Sequence, residues 1–146
     1  VYVGQNNEGL YGESLLKKIN ASHCRNRIKI TGWADADMFK AYLEIADAAV
    51  QLRSLSRGET SAAVLDCLNY GIATIVNANG SMSDIPDASI FKLPDSFEDA
   101  ALSEALNTLR NDANTREQVG AEATRLIHTN HAPRACAALY RDAIEA

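Results

Sequence analysis

The sequence predicts an α/β fold, a parallel sheet with helices on both of its faces. Short apolar runs, some of them β-branched, alternate with segments whose apolar residues recur at helical spacing. The connections between these segments are short, which is typical of strand–helix–strand units. The 146 residues are 47% apolar and 23% charged, so the chain can bury a sizeable core.

The first half of the chain is predicted to contain three strand–helix pairs. Gly71 is well placed to end the third helix in a left-handed conformation. The predicted strands are 1–3, 27–32 and 48–52, the last of them buried. The predicted helices are 12–21, a second that Asp35 or Asp37 caps and that carries Met38, Tyr42 and Ile45 on one face, and a third from Thr60 or Ser61 to Tyr70 with Val64, Leu65 and Leu68 inward.

The second half continues the alternation and then becomes helical. Residues 73–76 form an uninterrupted β-branched run, which is typical of a strand buried on both faces. A loop rich in Asn, Gly, Ser and Asp follows over 77–87, and a last short strand is predicted at 90–93. The remaining predicted helices are 97–111, 115–129 and 133–146.

Composition and charge exclude several classes of protein. The net charge is −5 and the basic residues are scattered, so we expect no nucleic-acid partner. No apolar run approaches the roughly 20 residues of a membrane span, and no signal-peptide pattern opens the chain. The three cysteines are widely spaced and odd in number, which favours free thiols in a reducing cytoplasm.

The chain opens within a predicted element. It begins Val-Tyr-Val-Gly, without an initiator methionine, as a strand that runs into a turn. We therefore expect residues 1–146 to be a single domain and a piece of a longer protein. An exposed strand edge in such a piece is a template for pairing, so we expect the isolated piece to self-associate.

The segment from Arg53 to Ala63 is the most informative for function. Ligands of parallel sheets bind at the carboxyl ends of the strands, and this segment follows such an end. Its backbone N–H groups at the start of a helix attract phosphate. Arg57 beside Gly58 is the better basic candidate, with a solvated surface arginine as the alternative. For Thr60 and Ser61 the alternative is that they only cap the helix.

Two carboxylates accompany this segment. Asp66 lies in a helix that otherwise reads as apolar nearly all round, where a carboxylate needs a partner or a ligand. Glu59 lies seven residues earlier, so the two would face the same way if both were helical. Carboxylates around a phosphate site suggest a ligand with hydroxyl groups at both ends and phosphates between them. A nucleotide sugar fits that description.

A series of motifs runs from Ile28 to Asp84. It contains, in order, Gly32, Tyr42 to Asp47, Gly58-Glu59, Asp66, Gly71, and Asn79-Gly80-Ser81 followed by Asp84. This series resembles the C-terminal nucleotide-sugar-binding domain of retaining glycosyltransferases of family 4. Those enzymes have two Rossmann-like domains that face each other across a cleft, the GT-B architecture.

The chain departs from the family pattern in two places. The family has two Glu residues with seven residues between them, whereas here six residues separate Glu59 from Asp66. Because Asp66 keeps its spacing to Gly71, we place a one-residue deletion near 60–62. Ala73 stands where the family usually has proline.

The resemblance implies a role for each site residue. Glu59 would contact the donor sugar and is the catalytic candidate, and Asp66 would accept hydrogen bonds from the ribose diol. Trp33 would stack on the base, with a packed surface indole as the alternative. The other donor-binding candidates are Arg57, Gly58, Thr60, Ser61, Ala62, Gly80 and Ser81, and for the last two a simple turn is the alternative.

The resemblance also implies a reaction and partners. Such enzymes transfer a hexosyl group from a UDP- or GDP-sugar to an acceptor hydroxyl with retention, and need no metal or other cofactor. The acceptor would bind a missing N-terminal domain of the same chain, so this piece would bind donor without turnover. The basic pair that such enzymes use against the diphosphate would precede Val1, and whether Arg53 or Arg57 replaces it is open. We expect a role in polysaccharide biosynthesis in the cytoplasm, with the full-length enzyme either free or peripheral at the inner face of the membrane.

Two other classes of function stay open. One is a regulatory module that binds a nucleotide or phospho-ligand, and the other is a flavodoxin-like interaction domain whose acids are structural. A sugar-nucleotide binder should prefer UDP or GDP to AMP and should require Asp66. Other motifs add nothing, because the histidines and cysteines lack metal-ligand spacing and no P-loop, G-x-G-x-x-G or nucleophile elbow is present.

Overall fold

A computed structural model describes residues 1–146, which divide into two compact units, Val1–Ile45 and Ala46–Ala146. The first contains helices α1 (Leu10–Ala21) and α2 (Ala36–Ile45). The second contains β1 (Ala48–Gln51), α3 (Ala62–Asn69), β2 (Ala73–Asn77), β3 (Phe91–Leu93), α4 (Asp99–Asn111), α5 (Ala113–Asn130) and α6 (Pro133–Glu145).

The two strands predicted in the first unit are reduced to isolated bridges. Tyr2 pairs with Ile30 in parallel, and Gly4 pairs with Gly32 in antiparallel orientation. Both glycines have a positive φ, +132° and +75°, which turns the backbone out of an extended run. A 3₁₀ turn at Arg25–Arg27 replaces the start of the second strand. The predictions of strands at 1–3 and 27–32 are therefore wrong.

The two helices predicted in the first unit are confirmed, but the buried stripe of α2 differs. Asp35 caps α2 as predicted, because its Oδ1 accepts the backbone N–H of Met38 at 2.8 Å. Leu43 is the buried residue of this helix, whereas Met38 and Ile45 are 43% and 75% exposed. The apolar face is thus rotated about the helix axis away from the face that the sequence predicted.

The second unit is built on a three-stranded parallel sheet in the order β1-β2-β3. All five residues of β2 are buried. Side chains alternate along this strand, so Val76 packs with α3 and α5 on one face, and Ala73 and Ile75 pack with α4 on the other. The predicted α/β fold class, with helices on both faces of a parallel sheet, is confirmed. β1 is less buried than predicted, because it forms an edge of this sheet and its Val50 is 41% exposed.

The C-terminal part follows the prediction closely. Strand β3 and helices α4, α5 and α6 lie within a few residues of the predicted bounds. The segment predicted as a loop contains two 3₁₀ turns, Gly80–Asp84 and Asp87–Ser89. None of the helices combines the length and the apolar character that a membrane span needs.

Both ends of α3 are fixed by local contacts. Ser61 caps its start, because Ser61 Oγ accepts the N–H of Val64 at 3.4 Å. Gly71 ends it with a φ of +66°, as predicted. Gly120 of α5 lies directly against this turn, so a Cβ added to Gly120 would come 2.1 Å from Gly71 O. The start of α3 thus lies at the carboxyl ends of the parallel strands, and the turn at Gly71 leads into β2 at their amino ends.

Candidate functional site

The segments that follow β1 and β2 meet at the carboxyl ends of the strands. We call residues 53–61 the site loop. Ser81 Oγ donates a hydrogen bond to Glu59 O at 2.9 Å. Gly80 lies so close to the site loop that a Cβ on it would come 2.1 Å from Ser56 Oγ, and its φ is +58°. The structure thus brings together Glu59, Gly80 and Ser81, three of the predicted site residues.

Glu59 lies in the site loop and not in α3. Its carboxylate accepts the backbone N–H of Arg57 at 2.7 Å. Hydrogen bonds from the backbone of Glu59 itself and from Arg57, with a smaller contribution from the charge of Arg53, hold the pKa of this carboxyl below its ordinary value of 4.5. Glu59 is exposed and ionised at neutral pH, so it can accept hydrogen bonds from a ligand.

Asp66 is exposed on α3, which corrects the expectation that its helix is apolar nearly all round. The buried positions of this helix are Val64, Cys67 and Leu68, and they leave Asp66 on the solvent side. Because Glu59 precedes the helix, the two acids do not share a helical face. The chain supplies no hydrogen bond or ion pair to the Asp66 carboxylate. Its oxygens are therefore free to accept hydrogen bonds from the two hydroxyl groups of a diol.

The start of α3 shows which of its hydroxyl residues has a structural role. Ser61 Oγ is the N-cap and also accepts a hydrogen bond from Arg53 Nη2 at 3.1 Å. Thr60 and Ala62, on either side of it, are exposed. Gly58 has a φ of +90° and donates its N–H to Ser56 Oγ at 3.1 Å, which shapes the turn before the helix.

A buried polar junction that the sequence analysis missed lies beneath the site loop. Asn77, at the end of β2, is only 1% exposed. Its Oδ1 accepts the N–H of Arg53 at 2.8 Å, and its Nδ2 donates to Arg53 O at 2.7 Å. Nδ2 also donates to Asp95 Oδ1 at 3.1 Å, and Asn79 Nδ2 donates to the same oxygen at 2.8 Å. The signal in the sequence was a single amide closing an otherwise apolar, β-branched strand.

A cavity of about 170 Å³ opens beside the start of α3. Its floor is apolar and its rim carries hydroxyl, carboxylate, amide and imidazole groups. A larger open depression of about 760 Å³ on α4 contains none of the predicted site residues. The residues that line the smaller cavity are Thr60, Ser61, Val64, Leu65, Ser81, Met82, Asp84, Ile85, Pro86, Leu126, Asn130 and His131.

Trp33 belongs to the first unit, where its side chain is 80% exposed. It follows the positive-φ turn at Gly32. An exposed indole at a turn is free to stack on a ring, and its predicted contact with the base stays a prediction.

Other reactive groups do not form a second site. No three His, Cys, Asp or Glu side chains converge as a metal site. The three cysteines are free thiols, and burial raises the pKa of the Cys67 thiol to about 11. A thiol with that pKa is neutral at pH 7 and therefore a poor nucleophile.

No family model and no curated protein matches the chain. Among solved structures, the chain is similar to a sucrose-phosphate synthase from Thermosynechococcus elongatus, with a TM-score of 0.75 and 16% sequence identity. The match covers 98% of this chain and 38% of the synthase chain, so this chain spans well under half the length of that protein. At such low identity the likeness shows the fold alone. That fold is a Rossmann-like α/β fold, with helices on both faces of a parallel sheet.

Proposed function

We propose that this chain is the donor-binding domain of a glycosyltransferase that transfers a hexosyl group from a UDP- or GDP-sugar to an acceptor hydroxyl. The observation that supports the proposal most is the meeting of two loops on a fold similar to that of a sugar-transferring enzyme. Ser81 is bonded to Glu59 beside the start of α3, at the carboxyl ends of the strands. Parallel α/β sheets bind their ligands at these ends.

The side chains in this place suit the two ends of a nucleotide sugar. The free carboxylate of Asp66 can accept a pair of hydrogen bonds from the ribose diol. The ionised carboxylate of Glu59 can accept hydrogen bonds from the sugar hydroxyls, and charge-assisted bonds of this kind are stronger than neutral ones. Between them, the first N–H groups of α3 and an arginine of the site loop would face the diphosphate.

The proposed reaction breaks the bond between the anomeric carbon and the diphosphate oxygen. A bond from the acceptor oxygen to the same carbon forms with retention, the acceptor gives up its proton, and the nucleoside diphosphate leaves. No metal is invoked, so the N–H groups and an arginine of the site loop would offset the charge on the leaving group. We place the acceptor on a further domain of the same chain, in a family 4 enzyme of cytoplasmic polysaccharide biosynthesis.

Calorimetric titration of the chain with UDP, GDP, AMP and the matching sugar nucleotides tests the proposal. UDP or GDP should bind, and the matching sugar nucleotide should bind at least as tightly. The affinity for AMP should be lower by a factor of about ten or more. Asp66→Ala should weaken binding, whereas Glu104→Ala, an exposed carboxylate on α4, should not. Equal binding of all nucleotides, or no binding, would contradict the proposal. No observation favours the alternative of a non-catalytic nucleotide-binding or interaction module.

A further inference from the structure

We propose that Arg53 is the arginine that contacts the diphosphate of the donor, and that Asn77 is the residue that positions it. This inference rests on the proposed function, and deepens it by assigning the cation of the site. It also reverses the order of the two arginines, because the sequence favoured Arg57.

The Asn77 amide holds the backbone of Arg53 at two points. Its oxygen accepts the N–H and its nitrogen donates to the carbonyl of the same residue, at 2.8 and 2.7 Å. Bonds from one planar amide to both polar groups of a residue restrict the φ and ψ of that residue. The side chain of Asn77, the last residue of β2, therefore holds the chain two residues beyond Gln51, where β1 ends.

Asp95 fixes the orientation of that amide. Nδ2 of Asn77 donates to Asp95 O at 3.3 Å and to Asp95 Oδ1 at 3.1 Å. Three oxygens around this nitrogen define which end of the amide is the donor. The junction thus links the chain segments that follow β1, β2 and β3. Asn77 at its centre is shielded from water, with 1% of its surface exposed, whereas Asp95 is exposed.

Because the backbone of Arg53 is held in place, the position from which its side chain extends is fixed. Its Nη2 reaches Ser61 Oγ at 3.1 Å, at the N-cap of α3. Its charge also contributes to the low pKa of Glu59. A guanidinium has five N–H donors, so most of them stay available when one is bonded to Ser61. A cation with several free donors therefore lies at the start of α3, close enough for its charge to act on the Glu59 carboxylate.

Arg57 lacks this support. Its backbone N–H is bonded to Glu59, but its exposed side chain has no hydrogen-bond or ion-pair partner in the chain. A planar guanidinium binds phosphate oxygens in a two-point geometry, and this geometry is worth most when the side chain is already placed. Of the two arginines, only Arg53 is held in place before a ligand arrives.

Matched variants of the two arginines test the first part. Arg53→Gln and Arg57→Gln remove the same charge from the same loop, and each is titrated with UDP and with inorganic pyrophosphate. Loss of a charge-assisted bond should weaken binding to Arg53→Gln about ten- to a hundredfold. Arg57→Gln should stay within about threefold of the parent, as expected for an exposed charge without a fixed geometry. Equal losses, or a larger loss for Arg57→Gln, would overturn the assignment.

A double-mutant cycle tests the positioning role of Asn77. If Asn77 acts through Arg53, Asn77→Ala should weaken binding in the parent but should add little to Arg53→Gln. Thr74→Val is the control, since Thr74 is buried on the same strand and its hydroxyl, which bonds to Ile72 O at 2.8 Å, makes no bond to Arg53 or Asp95. Full additivity of Asn77→Ala and Arg53→Gln would show a merely structural role. Should Asn77→Ala fail to fold, Asp95→Ala, on the surface side of the junction, replaces it in the cycle.

The two probes separate this inference from the proposed function. If the parent binds pyrophosphate through Arg53 without preferring nucleotides, the proposed function is wrong and the role of Arg53 stands. If the parent binds UDP and Arg53→Gln binds it equally well, the role of Arg53 is wrong and the function stands. If the parent binds neither probe, both are wrong.

Discussion

At the scale of single residues, the proposed function gives different roles to the two acids of the site: Asp66 would bind the donor, and Glu59 would position its transferring carbon. A ribose contact by Asp66 would be present in the ground state and in the transition state, so in the proposed full-length enzyme Asp66→Ala should raise the donor KM about ten- to a hundredfold and spare kcat. A sugar contact by Glu59 at the transferring carbon matters most in the transition state, so Glu59→Ala should lower kcat. Steady-state kinetics with varied donor give both values.

Thermal unfolding is the control for this pair of variants. Asp66 is exposed and has no partner in the chain, so its loss should leave the midpoint of unfolding unchanged. An early melt of Asp66→Ala together with normal donor binding would assign a structural role to this residue. If Glu59→Ala then turned over like the parent, the assignment of the whole site would be wrong.

The pKa of Glu59 gives a second prediction at this scale. Its pKa is lowered in the folded chain, so the carboxylate contributes stability above its unfolded pKa, and this contribution is lost as the pH falls through the folded value. Because Glu59 is exposed, the effect on unfolding should be small, and a titration of its side-chain carbon resonance is the better measurement. The midpoint should lie below 4.5 and should rise in Arg53→Gln. An unshifted midpoint in the parent would contradict the observed hydrogen bonds.

At the scale of the elements, α5 closely approaches the turn that ends α3. A glycine-to-alanine substitution in α5 should therefore change stability in the direction opposite to the usual one. Replacing glycine by alanine inside a helix usually stabilises it by about 1 kcal/mol. Gly120→Ala should instead destabilise the chain by about 1–3 kcal/mol, because the new Cβ would lie 2.1 Å from the backbone oxygen of Gly71. Denaturant unfolding measures the change. Asn107→Ala, exposed on α4, is the control and should stabilise by a few tenths of a kcal/mol; a stabilised Gly120→Ala would show that the two segments can move apart.

Helical periodicity and β-branched runs predicted the elements of the second unit well, because most of them coincide with a packed face; α6, which has no buried residue, is the exception. β2 is buried throughout and α3 ends at Gly71, and both were readable from local sequence. The strands of the first unit were mispredicted because the apolar runs are interrupted by positive-φ glycines, Gly4 and Gly32. The local sequence shows that an apolar segment tends to be extended. Whether a neighbouring strand pairs with that segment depends on tertiary contacts.

In the candidate site, too, some features were predictable from local sequence and others depend on tertiary contacts. Glu59, Ser81 and the start of α3 come together as the carboxyl-end rule predicts. The exposure of Asp66 was misjudged because α3 is short and only one of its faces is covered. The Asn77 junction depends on contacts across 24 and 18 residues of sequence, which no local spacing encodes.

At the scale of the whole molecule, both apolar clusters lie entirely within residues 46–146. The first cluster joins α3, β2 and α5, and the second joins β2, β3 and α4. In the first unit, by contrast, only Gly12 and Leu43 are buried. A chain stabilises itself by the apolar surface that it removes from water, so the second unit contains what it needs to fold and the first does not.

We therefore expect the fragment 46–146 to unfold cooperatively and the fragment 1–45 to lack a cooperative transition. Circular dichroism measures the heat-induced unfolding of both fragments, and the spread of their amide proton chemical shifts is a second probe of folding. Since Arg53, Glu59 and Asp66 all lie in the second unit, the fragment 46–146 should also bind pyrophosphate about as well as the whole chain. If Trp33 stacks on the base, the same fragment should lose affinity for UDP or GDP but not for pyrophosphate, and Trp33→Ala in the whole chain should reproduce that loss. A fragment 46–146 without a cooperative transition would show that the two units fold only as one domain.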